Sequence, residues 1–145
     1  MQLRRAEPSD ADAIADVFIA SFEQLLNFLP RLHTHEEDRA FIRDLVERHE
    51  VWVAEDDGLI VGFAAIADAR LEQLYVHPDY QGRGVGTELL AKTKERQPGG
   101  FSLWVFQQND GARRFYEANG LELVELTDGS GNEEKTPDAQ YEWSP

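Results

Sequence analysis

The residues best placed to do chemistry form one stretch, Leu74-Tyr75-Val76-His77-Pro78-Asp79-Tyr80-Gln81-Gly82-Arg83-Gly84-Val85-Gly86-Thr87-Glu88-Leu89-Leu90. Leu74 to His77 reads as a strand, and Pro78 stops it because proline has no N–H for the ladder. Gly82, Gly84 and Gly86 remove every second Cβ, so the backbone can bring its amides against a ligand before a helix starts near Val85. The first N–H groups of a helix lack partners within it, and the macrodipole adds partial positive charge. The chemistry offered is the binding of a phosphate or diphosphate. Two common phosphate loops do not fit. A dinucleotide fingerprint G-x-G-x-x-G would need glycine at Thr87 or Leu89, and no glycine precedes Lys and Ser or Thr as the mononucleotide loop requires. What remains is Gln81-x-x-Gly84-x-Gly86, directly after a strand and a proline turn.

A second segment, Asn109-Asp110-Gly111-Ala112-Arg113-Arg114-Phe115-Tyr116-Glu117-Ala118-Asn119-Gly120-Leu121, reads as a helix capped by Asn109 and closed by Gly120. Asn109 and Tyr116 share one face about two turns, or roughly 10 Å, apart. The first stretch closely resembles the acyl-CoA-binding motif Q/R-x-x-G-x-G/A of the GNAT superfamily of N-acetyltransferases, and the second is similar to that family's N-x-x-A-x-x-F-Y-E-x-x-G-F segment. Leu121 stands where the family usually has Phe, and Gly111 lowers helix propensity by about 1 kcal/mol relative to Ala. The resemblance implies an acetyl-CoA-dependent N-acetyltransferase without a metal. It assigns the cofactor to Leu74, Tyr75, Val76, Gln81, Gly82, Arg83, Gly84, Val85, Gly86, Thr87, Asn109, Ala112 and Tyr116. Within that set it places Asn109 on the pantetheine arm and Tyr116 beside the sulfur. A backbone N–H near Tyr75 or Val76 would hold the thioester oxygen.

If so, an amine attacks the thioester directly in a ternary complex, and a thiolate departs. Tyr116 is the expected proton donor to that thiolate, the alternative being that it packs like Phe115 with its hydroxyl in solvent. The attacking amine must lose a proton, and Glu72 is the expected base, since strand alternation places it on the face of Leu74 and Val76. An ordinary solvent-facing carboxylate is the competing reading of Glu72, with a water chain, Glu23 or His33 as substitutes. Two other functions stay open: an acyl-CoA sensor or partner module with weak catalysis, and a nucleotide-binding regulatory domain.

Composition limits the partners. With 14 Lys plus Arg against 28 Asp plus Glu, the net charge of −14 argues against nucleic acid and tilts towards a cationic amine. An anionic cofactor must then be held by local geometry, with Arg83, Arg113 and Arg114 as the nearby cations. The absence of cysteine excludes disulfides, thiolate metal sites and a Cys acyl-enzyme. No apolar run approaches a membrane span and the first residues lead into a polar stretch, so a cytoplasmic protein is expected. Self-association into a homodimer is left open, as is the identity of the amine.

The elements that must position these residues follow hydrophobic period and turn signals. At 145 residues without a repeat, one domain over 1–145 is expected. Gln2 to Ala6 is a strand, and a helix follows with Ser9 and Asp12 at capping-box spacing, its stripe running from Ile14 to Leu25. Gln24 to His33 reads either as a partly helical flap over a cleft or as a packed connection. Thr34 and Glu37 open a second helix. His33-Thr34-His35-Glu36 has no third ligand at metal spacing and reads as a helix start. Strands follow at Val51–Ala54, Leu59–Ile66 and Arg70–His77, the first two joined by Asp56-Asp57-Gly58. After the glycine-led helix, Phe101 to Phe106 is a near-continuous β-rich run, expected as a central strand parallel to its predecessor. Leu121–Leu126 and Ala139–Trp143 are read as a final pair. The order β-α-α-β-β-β-α-β-α-β-β is an α/β, GNAT-like mixed sheet with helices on both faces. The connection Thr127 to Asp138 carries Asp128, Glu133 and Glu134. Together with Phe22 to His35, which carries Phe28, Arg31 and His33, it is expected to shape the acceptor site.

Overall fold

Seven strands in the order β1-β2-β3-β4-β5-β7-β6 form one sheet in the computed structural model, which describes residues 1–145. The elements are β1 (Gln2–Arg5), α1 (Ala11–Leu25), α2 (His35–Arg48), β2 (Glu50–Asp56), β3 (Leu59–Ala67), β4 (Arg70–Val76), α3 (Val85–Arg96), β5 (Phe101–Phe106), α4 (Asp110–Ala118), β6 (Glu122–Leu126) and β7 (Asp138–Trp143). This is the expected order and the expected α/β class. β7 does pair with β6, and it also inserts between β6 and β5.

Each face of the sheet buries its own core. Val51, Val53, Phe63 and Ala65 pack under α1 and α2 with Ile14, Phe18, Ile42 and Leu45. Val61, Ala64, Ile66, Leu103 and Tyr141 pack on the other face with Leu89 and Leu90 of α3 and Tyr116 of α4. At Gly62 the two layers approach so closely that a Cβ would lie 3.0 Å from Val85, 3.1 Å from Leu89 and 3.1 Å from the Tyr75 carbonyl. Glycine there lets α3 lie flat on β3 beside the end of β4.

Every pairing is antiparallel except β4–β5, which is parallel and joined at Arg70↔Ser102 alone. Beyond that point the two strands part, and the sheet opens like a wedge under the carboxyl end of β4. β5 alternates rather than burying both sides. Phe101, Leu103 and Val105 face the core, while Trp104 is 45% exposed on the opposite face.

Two further expectations are corrected, and of the two readings of the segment after α1 one is decided. The chain does not use Ser9 and Asp12 as a capping box; a short 3-10 turn over Pro8–Asp10 precedes α1. There the Asp10 carboxylate accepts from the Glu7 N–H at 2.7 Å and from the Arg4 guanidinium, which holds Asp10 below the usual carboxylate range. The stretch after Leu25 is not helical, and burial of Leu26 and Leu29 makes it a packed connection. In β4 the register slips: Ala65 faces Gln73 and Ile66 faces Leu71, leaving Glu72 on a bulge. The Thr34–Glu37 box at the start of α2 forms as expected. No helix is long and apolar enough to cross a membrane.

Candidate active site

A cavity of about 400 Å³ opens between the end of β4, the turn that follows it, the start of α3 and one face of α4. Gly82 and Gly84 hold φ at +75° and +82°, where an L side chain is strained, and Gly84 is the N-cap of α3. Open space surrounds both, so backbone conformation selects glycine at these positions. Gly86 differs, because a Cβ there would come 3.3 Å from the Phe115 ring and push α3 off α4. The Gln81 side-chain amide donates to the Val76 carbonyl at 2.8 Å, and Ser21 Oγ donates to the same oxygen at 3.1 Å. Those two bonds tie the strand end to the turn and to α1.

His77 N donates to Val61 O at 2.8 Å, which makes Gly62 and Val76 a facing pair that exchanges no hydrogen bond. By alternation the amides of Leu74 and Val76 turn away from β3 into the wedge left by β5, while that of Tyr75 turns to Phe63. Of the two N–H groups considered for the thioester oxygen, Val76 is therefore the one without a strand partner.

From the far wall, α4 contributes Asn109 and Tyr116. Asn109 Oδ1 accepts from Ala112 N at 3.2 Å, which leaves its NH₂ for a ligand. Tyr116 is 8% exposed, its ring against Phe115 and Tyr141. Burial holds its hydroxyl well above the ordinary phenol range, and neighbouring Tyr75 adds to the effect. The phenol therefore stays protonated through the neutral range.

A larger cavity, about 1220 Å³, is walled by α1, residues 30–33, α2, β4 from Glu72 to Tyr75, β5 and the β6–β7 connection. Six aromatic rings line it (Phe18, Phe22, Phe41, Tyr75, Trp104, Phe106) together with six carboxylates (Glu37, Asp38, Glu72, Glu133, Glu134, Asp138). Its cations are already engaged. Arg31 pairs with buried Asp38, lies 3.6 Å from Glu23 and covers the Phe22 ring at 4.7 Å. His33 Nε2 meets Glu133 Oε1 at 2.5 Å, with Glu37 3.7 Å from its other nitrogen. Phe28 meets Phe106 edge-on at 6.2 Å. The His33–Glu133 contact joins two connections across the rim of the cavity, its residues 100 positions apart, and Phe28 ties the first of them to β5.

The description "Acetyltransferase (GNAT) domain" matches residues 47–122, more than half of the chain. The chain belongs to the GNAT family. It is 32% identical over 151 residues to an uncharacterized N-acetyltransferase of Archaeoglobus fulgidus, covering 92% of this chain and all of that protein. It is 30% identical to the peptidyl-lysine N-acetyltransferase YiaC of Escherichia coli over 85% of this chain and 84% of the relative. Among solved structures, a GCN5-related N-acetyltransferase of Rhodopseudomonas palustris superposes with a TM-score of 0.85 at 27% identity, covering 99% of this chain and 95% of that one. The fold is also that of a Thermoplasma acidophilum N-acetyltransferase solved in complex with coenzyme A, with a TM-score of 0.76 at 22% identity over 99% and 98% of the two chains. As a GNAT protein the chain is an acyl-CoA-dependent N-acetyltransferase.

Against that family frame the residues sort cleanly. Leu74, Tyr75, Val76, Gln81, Gly82, Gly84, Val85, Gly86, Thr87, Asn109, Ala112 and Tyr116 all line the smaller cavity. Arg83 does not, because its guanidinium lies 5.0 Å over the Tyr80 ring. Arg113 is also turned away, donating to the Tyr141 hydroxyl at 3.0 Å. Glu72 faces the larger cavity with Gln73 and Tyr75, and the bulge is the reason: one extra residue rotates it off the face of Leu74 and Val76. Of the substitute bases, His33 pairs with Glu133, and Glu23 pairs with His35 at 2.7 Å. Ser21, Tyr80 and Phe115 also wall the smaller cavity and were not assigned to the cofactor. Tyr80 and Phe115 stand inside the two motif segments, and Ser21 left a trace as a hydroxyl in the apolar stripe of α1.

Proposed function

We propose that the chain transfers an acetyl group from acetyl-CoA to a cationic primary amine, with residues 1–145 acting as one catalytic domain. The observation carrying this reading is that the two cavities share Tyr75 as a wall, and that the smaller one is also walled by Val76, whose amide has no strand partner, and by Tyr116. The cofactor's diphosphate sits on the amides of Gly82 to Thr87 at the start of α3, its arm runs along Leu74 to Val76 past Asn109, and its thioester reaches the wedge. The amine arrives through the larger cavity, whose carboxylates concentrate cations and whose rings sheathe an aliphatic stem.

The amine nitrogen then bonds to the thioester carbon, the Val76 N–H holding the carbonyl oxygen as it becomes negative. The C–S bond breaks, and the proton lost by nitrogen passes to Glu72, directly or through water. Tyr116 donates its proton to the leaving sulfur and regains one from solvent, while Glu72 gives up to solvent the proton it took from nitrogen. The same dry cavity that raises the phenol also raises the thiolate's basicity, so the two stay matched. The products are the amide and free CoA thiol. Acetyl-CoA at a hundred times its Kd should raise folding stability by about 2.7 kcal/mol, read as a melting shift. Released thiol across a panel of amines then identifies the acceptor. A melting temperature indifferent to both acetyl-CoA and CoA sinks the reading.

A further inference from the structure

Tyr75 is the one residue that walls both cavities. Its ring is held from two sides: Phe18 of α1 meets it edge-on at 5.3 Å and 85°, and Phe63 of β3 stacks on it at 5.8 Å and 29°. Ordered aromatic contacts of this kind fix the ring plane and so the direction of the hydroxyl. No group of the chain hydrogen-bonds the hydroxyl. Glu134, a half-buried wall residue of the larger cavity that forms no ion pair, lies near enough to help burial push the Tyr75 phenol up to about 12. Tyr75 in turn raises Tyr116, a wall residue of the smaller cavity. The hydroxyl thus stands between the two chambers.

We propose that the Tyr75 hydroxyl positions the acceptor amine at the junction of the two cavities, its oxygen accepting an N–H so that the nitrogen lone pair faces the thioester carbon. This rests on the acetyl-transfer reading and gives Tyr75 a side-chain role beyond its backbone place beside the cofactor. No bond to Tyr75 forms or breaks. The phenol is neutral through the working range, so it orients the amine and leaves proton removal to Glu72. The hydrogen bond exists only with the amine in place, so its loss falls on the acceptor.

Tyr75→Phe keeps the ring and both aromatic contacts, so the variant folds. With the amine found in the thiol-release panel, its kcat/KM for acceptor is expected to fall about tenfold, the scale of one hydrogen bond. The acetyl-CoA KM, the CoA-induced melting shift and the inflections of the pH–rate profile are expected to stay as in wild type. Unchanged acceptor kinetics overturn the proposal. A weakened CoA-induced shift assigns the hydroxyl to the cofactor and also overturns it, and a displaced basic limb makes Tyr75 a base with the same result. A wild-type protein that ignores CoA fails the acetyl-transfer reading itself, and this proposal falls with it.

Discussion

The two cavities are built in opposite ways. The smaller is shaped by backbone: two left-handed glycines, a helix N-terminus, strand amides freed by the wedge, and Tyr116 set into α4. The larger is shaped by side chains from segments far apart in the chain, closed by the His33–Glu133 pair and the Phe28–Phe106 contact. Backbone amides in regular elements are positioned by the ladder and cost little to keep in place, whereas loop side chains must be ordered against their entropy. A common cosubstrate suits the first construction and a particular acceptor suits the second.

On that division, damage to the smaller cavity should strike chemistry or cofactor, and damage to the larger, the base Glu72 apart, only the acceptor. The sharpest cut is Tyr116→Phe, which removes the donor while keeping the ring. Turnover should fall about a hundredfold with acetyl-CoA affinity intact; lost affinity instead would reduce Tyr116 to packing. Next is Gly84→Val, which forces a β-branched residue to φ +82° at about 2 kcal/mol, or about thirtyfold in acetyl-CoA affinity by calorimetry. An equal rise in acceptor KM would blur the division. A smaller effect is expected from Glu134→Gln on the other side. Neutralising this partly exposed carboxylate should raise KM for a cationic acceptor about fivefold, on the order of 1 kcal/mol, and leave acetyl-CoA KM unmoved.

The same contrast explains what could be read in the sequence. The smaller cavity was legible because its residues lie in two short segments where strand stop, glycine spacing and helix period dictate local geometry, and the resemblance of those segments to the GNAT motifs named twelve of its wall residues. Glu72 was misplaced because a bulge is a property of two paired strands, and the slip opposite Ala65 and Ile66 leaves no mark in β4 itself. Arg113 was offered as a cofactor cation, but its partner Tyr141 comes from β7, a strand whose insertion beside β5 no local pattern announces. The segments framing the larger cavity were found, while their pairings were not. Arg31 with Asp38 and His33 with Glu133 are tertiary meetings of residues that individually look like solvated charges.

The His33–Glu133 pair offers the gentlest test, because pH alone can loosen it. The hydrogen bond to Glu133, its charge and that of Glu37 raise the His33 imidazole above its ordinary value near 6.5. A raised histidine contributes its stabilisation fully below the unfolded value and loses it as pH climbs through the folded one. The clasp is therefore tight in mildly acidic solution and released in the range above 6.5, while the backbone of the smaller cavity does not titrate there. Acceptor KM should rise modestly over that window and acetyl-CoA KM should stay flat. In Glu133→Gln the imidazole keeps a polar neighbour but loses the charge that raised it, so the transition should move to lower pH and shrink. A titration of acetyl-CoA KM through the same window would mean that the two chambers are coupled, and a flat acceptor KM would mean that the rim contact does not govern access.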